Sequence, residues 1–235
     1  MTAEKVKFGE QVVNKFIEMV LARMVNAERI FVRVKANFKK LARGELDALT
    51  IEMYGFLLRH HLRVSEFRFD IGAAAVDIRS IRNRQIKLLH PSLGSLRMVI
   101  AQEQLTNVLN AQLDIHDDEQ ENQVRLMQVN CQLRADNAIA FHFNWISAGE
   151  TVSGSCITKS RIETNGKAVA LDKWKVEGQE PPIEFVNAAI AQVSDILSLT
   201  DIANQGTTFE IQQLDIEAEN ILVQAATHIE QFPTD

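Results

Sequence analysis

The chain has 235 residues, 46% hydrophobic and 24% charged, with a formal net charge of −6. Only 4 Pro and 10 Gly are present, which excludes disordered and collagen-like chains and leaves a globular protein able to bury a sizeable core. No apolar run approaches the roughly 18–20 residues that span a bilayer. The opening MTAEKVKFGEQVV lacks the apolar segment and cleavage site of a secretory signal, so a cytosolic chain is expected. The two cysteines, Cys131 and Cys156, are expected as plain reduced thiols. Charge is split along the chain. Residues 1–100 carry 18 Lys+Arg against 10 Asp+Glu, and residues 101–235 carry 7 against 21. The basic half could face anionic headgroups, nucleic acid or the acidic half of another copy, or its charges could mix in space with the acidic ones.

From Glu4 to Met24, Val6, Val13, Phe16, Ile17, Val20, Leu21 and Met24 recur at spacings of three and four. This predicts an amphipathic helix, and Val12 and Met19 widen its apolar stripe. The period then changes to two. Ile30, Val32, Val34, Ala36 and Phe38 predict a strand with one buried face, followed after Arg43-Gly44 by Leu49, Ile51 and Met53. Leu62 and Val64, then Phe67, Phe69 and Ile71, form the next strand, with a slip in parity that implies a bulge or a strong local twist. Shorter strands are expected at Val76–Ile78, Ile86–Leu88 and Leu96–Ile100, with a turn at Pro91-Ser92.

A short helix is expected over residues 101–112, then an acidic loop containing His116-Asp117-Asp118-Glu119. Strands resume at Met127–Leu133 and Ile139–Trp145, with a more polar edge strand over Gly149–Glu163 and a last one through Val176. Pro181-Pro182 opens a helix striped by Ile183, Val186, Ile190, Val193, Ile196 and Leu197. A C-terminal hairpin turns at Glu219-Asn220. The expected organisation is one domain over 1–235: helix 4–24, meander 28–100, short helix 101–112, meander 124–177, helix 182–199 and hairpin 208–230. This is α+β, with a large antiparallel sheet and helices to one face.

No phosphate loop, G-x-S-x-G elbow, C-x-x-C pair or H-E-x-x-H motif is present. No catalytic residue, metal ligand or cofactor is therefore assigned, and the chain is expected not to be an enzyme. His60-His61 lies between Arg59 and Arg63, an unfavourable place for a cation, and His90, His142 and His228 are isolated. Nucleic acid is not expected as a partner. The chain is acidic overall, and the Phe residues fall on the apolar parity rather than among the basic ones.

The segment LARGELDALTIEMYGFLL (41–58) has a Gly-x-Leu-x-x-Leu turn into a strand, LRVSEFRFD (62–70) follows, and IAQEQLTNVLN (100–110) carries an acidic-x-Leu-x-x-x-Leu helix. With the ending LDIEA (214–218) and ILVQAATHIEQFP (221–233), the chain resembles the LmeA-like phospholipid-binding family. That family is similar to the tubular lipid-binding (TULIP) superfamily. The resemblance covers roughly Val13 to Pro233. It implies a long curled antiparallel sheet wrapped around amphipathic helices with an apolar groove, and non-enzymatic binding, or transfer, of phospholipid or another acyl-chain lipid. Secreted members carry an export signal that this chain lacks, which favours a cytosolic or peripheral-membrane protein.

The groove is expected between Phe16, Ile17, Val20 and Met24 of the first helix and Val32, Val34, Phe67 and Phe69 of the sheet, which share a stripe or a parity. Docking on an anionic membrane is expected at Phe56, Leu57, Leu58, Arg59, His60, His61 and Arg63, an apolar run beside basic residues near a turn. The alternative is a lipid-free interaction module or homodimer with the same fold.

Overall fold

The computed structural model describes residues 3–36, 38–58, 62–75, 77, 87–111, 124–200, 202–203 and 206–231. The element order is α1 (Ala3–Met24), β1 (Arg29–Lys35), α2 (Phe38–Leu41, a single turn), β2 (Glu45–Leu46), β3 (Ala48–Leu57), β4 (Arg63–Ile71), β5 (Ala74–Ala75), β6 (Lys87–Ala101), α3 (Gln102–Ala111), β7 (Val124–Arg134), β8 (Ala138–Ser147), β9 (Glu150–Ile162), β10 (Val169–Gly178), α4 (Ile183–Leu197), β11 (Thr207–Ile216) and β12 (Asn220–Gln231). Six strands form one antiparallel sheet in the order β1-β3-β4-β6-β12-β11, four form another in the order β10-β9-β8-β7, and β2 pairs with β5.

The same unit occurs twice. A helix precedes a four-stranded meander, α1 before β1-β3-β4-β6 and α3 before β7-β8-β9-β10, and in each unit the helix lies along the free edge of the first strand. Asn14 Oδ1 accepts from Val34 N–H (2.8 Å) and Glu18 Oε1 from Val32 N–H (3.1 Å). In the second unit Gln102 Oε1, Thr106 Oγ1 and Asn110 Oδ1 accept from the N–H groups of Leu133, Cys131 and Val129 at 2.8–3.0 Å. The geometry explains the spacing. Four residues of helix rise about 6.0 Å, close to the roughly 6.8 Å of two strand residues, so side chains at i and i+4 meet every second edge amide. Edge amides left bare invite pairing with another chain, and these polar rows satisfy them internally.

One contiguous core takes in the inner faces of both sheets. It contains Val32 and Val34 of β1, Leu49, Ile51 and Met53 of β3, Phe67 and Phe69 of β4, Phe141 and Phe143 of β8, and Val186, Val193 and Leu197 of α4. The outer edge of β11 is held by the second sheet: Ile211 N–H donates to Gly166 O (2.7 Å) and Ile216 N–H to Asn137 Oδ1 (3.1 Å). α4 is tied by Gln192 Nε2 to Val108 O of α3 (3.4 Å) and, just beyond its end, by Ser198 Oγ accepting from Val169 N–H (2.9 Å).

Several sequence expectations are corrected. β1 ends at Lys35, and Phe38 lies in the turn α2 rather than in the strand. Instead of turning at Pro91-Ser92, β6 runs through it as one 15-residue strand. Ser92 pairs with Ile229 and Lys87 with Gln231, so the stretch containing Pro91 bulges opposite Glu230 and the missing proline N–H costs no ladder bond. β9 is no edge; it lies between β8 and β10. The parity slip in β4 involves no inserted residue, because Tyr54 pairs with Glu66 and Phe56 with Val64 in one register. Both strands switch face at Gly55, whose φ of +59° makes the local twist. Val76, Ile78 and Ile86 of the expected short strands lie outside the described residues, as does the acidic loop with His116, while Lys87 and Leu88 open β6.

Candidate functional site

The described residues among those singled out in the sequence lie on α1, β1, β3 and β4, toward one end of the strand order of the six-stranded sheet. Val32, Val34, Phe67 and Phe69 point inward and are 2–7% exposed. Phe67 is flanked by two rings, Phe56 edge-on at 5.2 Å and Phe69 tilted at 6.4 Å. Above this face the helix presents Val13, Ile17 and Leu21, with Val25 just past its end, all half-buried against the core. Val20 is also half-buried but lies outside the core cluster. The side chains of Phe16 and Met24 lie outside the described residues. The apolar row of α1 is thus not fully covered, although the sheet residues beneath it are.

The β3–β4 hairpin closes the same end. Leu57 N–H donates to Asn26 O (2.8 Å) and Glu28 N–H to Tyr54 O (3.0 Å), which joins the α1–β1 loop to β3. Phe56 and Leu58 share a parity and pack on the core, while Leu57 between them is half-buried. Arg63 does not stand free at the turn. It donates to Gly55 O (2.6 Å) and pairs with Glu28 (3.5 Å). Arg59, His60 and His61 lie outside the described residues. A cavity of about 470 Å³ opens beside the hairpin, lined by Ala22, Arg23, Val25, Asn26 and Ala27.

The ion pairs of β3, β4 and β6 lie on the other face of the sheet. Arg68 pairs with Asp70 (2.7 Å) and Glu52 (3.3 Å), and Arg97 with Glu66 (2.5 Å). Burial alone would push Asp70 up. Hydrogen bonds from Arg68 and Thr50, with the charges of Arg68 and Arg33, outweigh it and hold the carboxyl below its usual range. Glu18 behaves likewise: burial raises it, but Lys15 and the Val32 N–H lower it further.

The polar rows that fasten the helices escaped the sequence reading, although their i, i+4 spacing on otherwise apolar helices was a usable signal. His142 is not isolated either. Its Nε2 meets Gln132 Oε1 (3.1 Å) and its Nδ1 meets Ser155 Oγ (2.6 Å), a bridge across three strands of the second sheet. With the Gln132 oxygen accepting, Nε2 carries the proton and Nδ1 accepts from the Ser155 hydroxyl. Cys131 and Cys156 are free, buried thiols. Burial pushes Cys131 up to about 12, which leaves it unreactive. Among the described residues no cluster of three metal-ligating side chains occurs, and no helix is long and apolar enough to cross a membrane.

No curated protein and no solved structure matches the chain. The family model of LmeA-like phospholipid-binding proteins matches residues 6–226. With nearly its whole length matched, the chain belongs to the LmeA-like phospholipid-binding family.

Proposed function

We propose that this chain binds phospholipid without catalysis, taking acyl chains along the seam between α1 and the inner face of the six-stranded sheet. The observation that carries the reading is the half-buried apolar row Val13, Ile17, Leu21 and Val25 over Val32 and Val34, in a chain of a phospholipid-binding family. A helix that only completed a core would bury that row. Phe16, Val20 and Met24 on the same stripe, and Phe67 and Phe69 below, complete the groove in this reading, as the likeness to tubular lipid binders implies.

Magnitudes favour uptake by displacement of the helix. Asn14 and Glu18 hold α1 to β1 with two hydrogen bonds, which together contribute about 2–4 kcal/mol. An acyl chain gains about 0.8 kcal/mol per methylene buried. Four or five methylenes therefore offset the release of both bonds. Transfer between membranes would use the same motion, with the protein cytosolic and peripheral. In this reading the β3–β4 hairpin touches the headgroup layer through Leu57 and the Arg59-His60-His61 segment between its strands, and Phe56, Leu58 and Arg63 brace it from behind.

Lipid extraction of the purified chain followed by mass spectrometry tests the proposal. The expected result is about one phospholipid per chain, lost in Val20→Glu, which places a carboxylate in the seam. A lipid-free chain that takes up no phospholipid on incubation would overturn it and favour the interaction module or homodimer.

A further inference from the structure

The outer surface beside the seam has an unusual composition. On β1, Arg29, Phe31, Arg33 and Lys35 alternate with Ile30, Val32 and Val34 and all four are exposed. Phe31 is the exception to the expectation that the Phe residues avoid the basic parity; it is 50% exposed. It stands edge-on to Tyr54 at 6.1 Å, with the Arg29 guanidinium 5.1 Å from the centre of the Tyr54 ring.

The helix continues this surface. Asn14 and Glu18 face the β1 edge, and Val13, Ile17 and Leu21 face the core. At 100° per residue, Lys15 and Met19 then lie on the opposite flank, toward the outer face of the sheet. α1 runs antiparallel to β1, with Asn14 beside Val34 and Glu18 beside Val32. Met19, 54% exposed, is therefore level with Phe31, and Lys15 with Arg33.

The nearby carboxylates are taken by other cations: Glu18 by Lys15, Glu28 by Arg63, and Glu52 and Asp70 by Arg68. Arg29, Arg33 and Lys35 make no ion pair with a described residue, though the charge of Arg33 reaches Asp70. A row of cations without a paired carboxylate among the described residues, interleaved with an exposed aromatic and an exposed methionine, complements a surface that is anionic outside and apolar just beneath.

We propose that the outer face of β1 and the adjoining flank of α1 dock this chain onto an anionic phospholipid bilayer. Arg29, Arg33 and Lys35 take headgroup phosphates, and Phe31 and Met19 enter the interfacial layer. The docking surface adjoins the seam, so a lipid leaving the bilayer has a short path to it. The inference rests on the phospholipid-binding reading only for its choice of partner, and the interleaved Phe31 would equally suit a single-stranded nucleic acid.

The test is flotation of the intact chain on phosphatidylglycerol–phosphatidylcholine vesicles at low salt, with Arg33→Glu/Lys35→Glu and, separately, Phe31→Ser. Each variant is checked for an unchanged melting temperature. The wild type should float, and should be released by about 0.5 M salt. Binding should fall about 25-fold or more in the double variant, about fivefold for each cation removed, and should fall in Phe31→Ser as well. Phospholipid extracted from the purified variants should match the wild type. That separates failure of docking from failure of the acyl-chain site. A wild type that does not float overturns the proposal, as do variants that float equally. So does an exposed row that captures a single-stranded oligonucleotide while leaving vesicle binding unchanged on mutation.

Discussion

The fastening of α1 to β1 controls access to the seam, and it can be weakened without touching the core. In Asn14→Ala/Glu18→Ala the amides of Val32 and Val34 lose their acceptors. A neutral hydrogen bond contributes about 1 kcal/mol and one to a charged group about 1.5–3. The two lie one turn apart on one helix, so their losses overlap, and about 2–3 kcal/mol is expected for the pair. Exchange protection at the Val32 and Val34 amides, read by NMR, should fall by about 30–150-fold, at tenfold per 1.4 kcal/mol. Lipid uptake should become faster, because the helix lifts more easily. Unchanged protection at both amides would refute the fastening, and faster exchange with slower uptake would refute its link to the seam. Glu18 adds a pH dependence. Its carboxyl is held below the ordinary 4.5 in the folded chain. Its contribution is therefore complete above about that pH and is lost as pH falls through the lowered folded value. Protection at Val32 should decline in that acid window in the wild type and not in Glu18→Gln.

Asn110 both donates to Val129 O (2.6 Å) and accepts from Val129 N–H (3.0 Å), so Asn110→Ala should destabilise the chain by about 2–3 kcal/mol in urea unfolding. Gly154→Ala would put a Cβ 1.8 Å from Gln179 O. The backbone beyond β10 must move, and calorimetry should show a loss of several kcal/mol, of the order of overpacking or more. Cys131 and Cys156 are buried with raised pKa values. A thiol reagent at pH 8 should therefore label neither in the native chain and both in denaturant.

Much of the secondary structure was legible because burial acts on local period. The 3.6-residue stripe of Val13, Ile17 and Leu21 and the alternation of Leu49, Ile51 and Met53 each have one dominant cause, a face turned to the core. What was not legible depends on partners distant in sequence. Pro91 reads as a turn until the bulge opposite Glu230 is known. The polar stretch of β9 reads as an edge, but its Ser155 and Ser160 are spent on His142 and on Asn137 O. β12 returns to pair with β6 across more than a hundred residues, which no local pattern encodes. For the site, parity marked Val32, Val34, Phe67 and Phe69 as inward, and period marked the α1 stripe. Neither could say that Asn14 and Glu18 clamp the helix, or that Phe31 joins the basic row outside.

The location of the bound acyl chain can be measured directly. A phospholipid carrying a nitroxide on its acyl chain broadens methyl resonances near it. With the labelled lipid bound, the methyls of Val13, Ile17, Leu21, Val32 and Val34 should broaden first, and those of Val186, Val193 and Leu197 on α4 should stay sharp. Broadening centred on α4 or the second sheet, or none anywhere with the lipid bound, would contradict an acyl-chain site at the α1 seam.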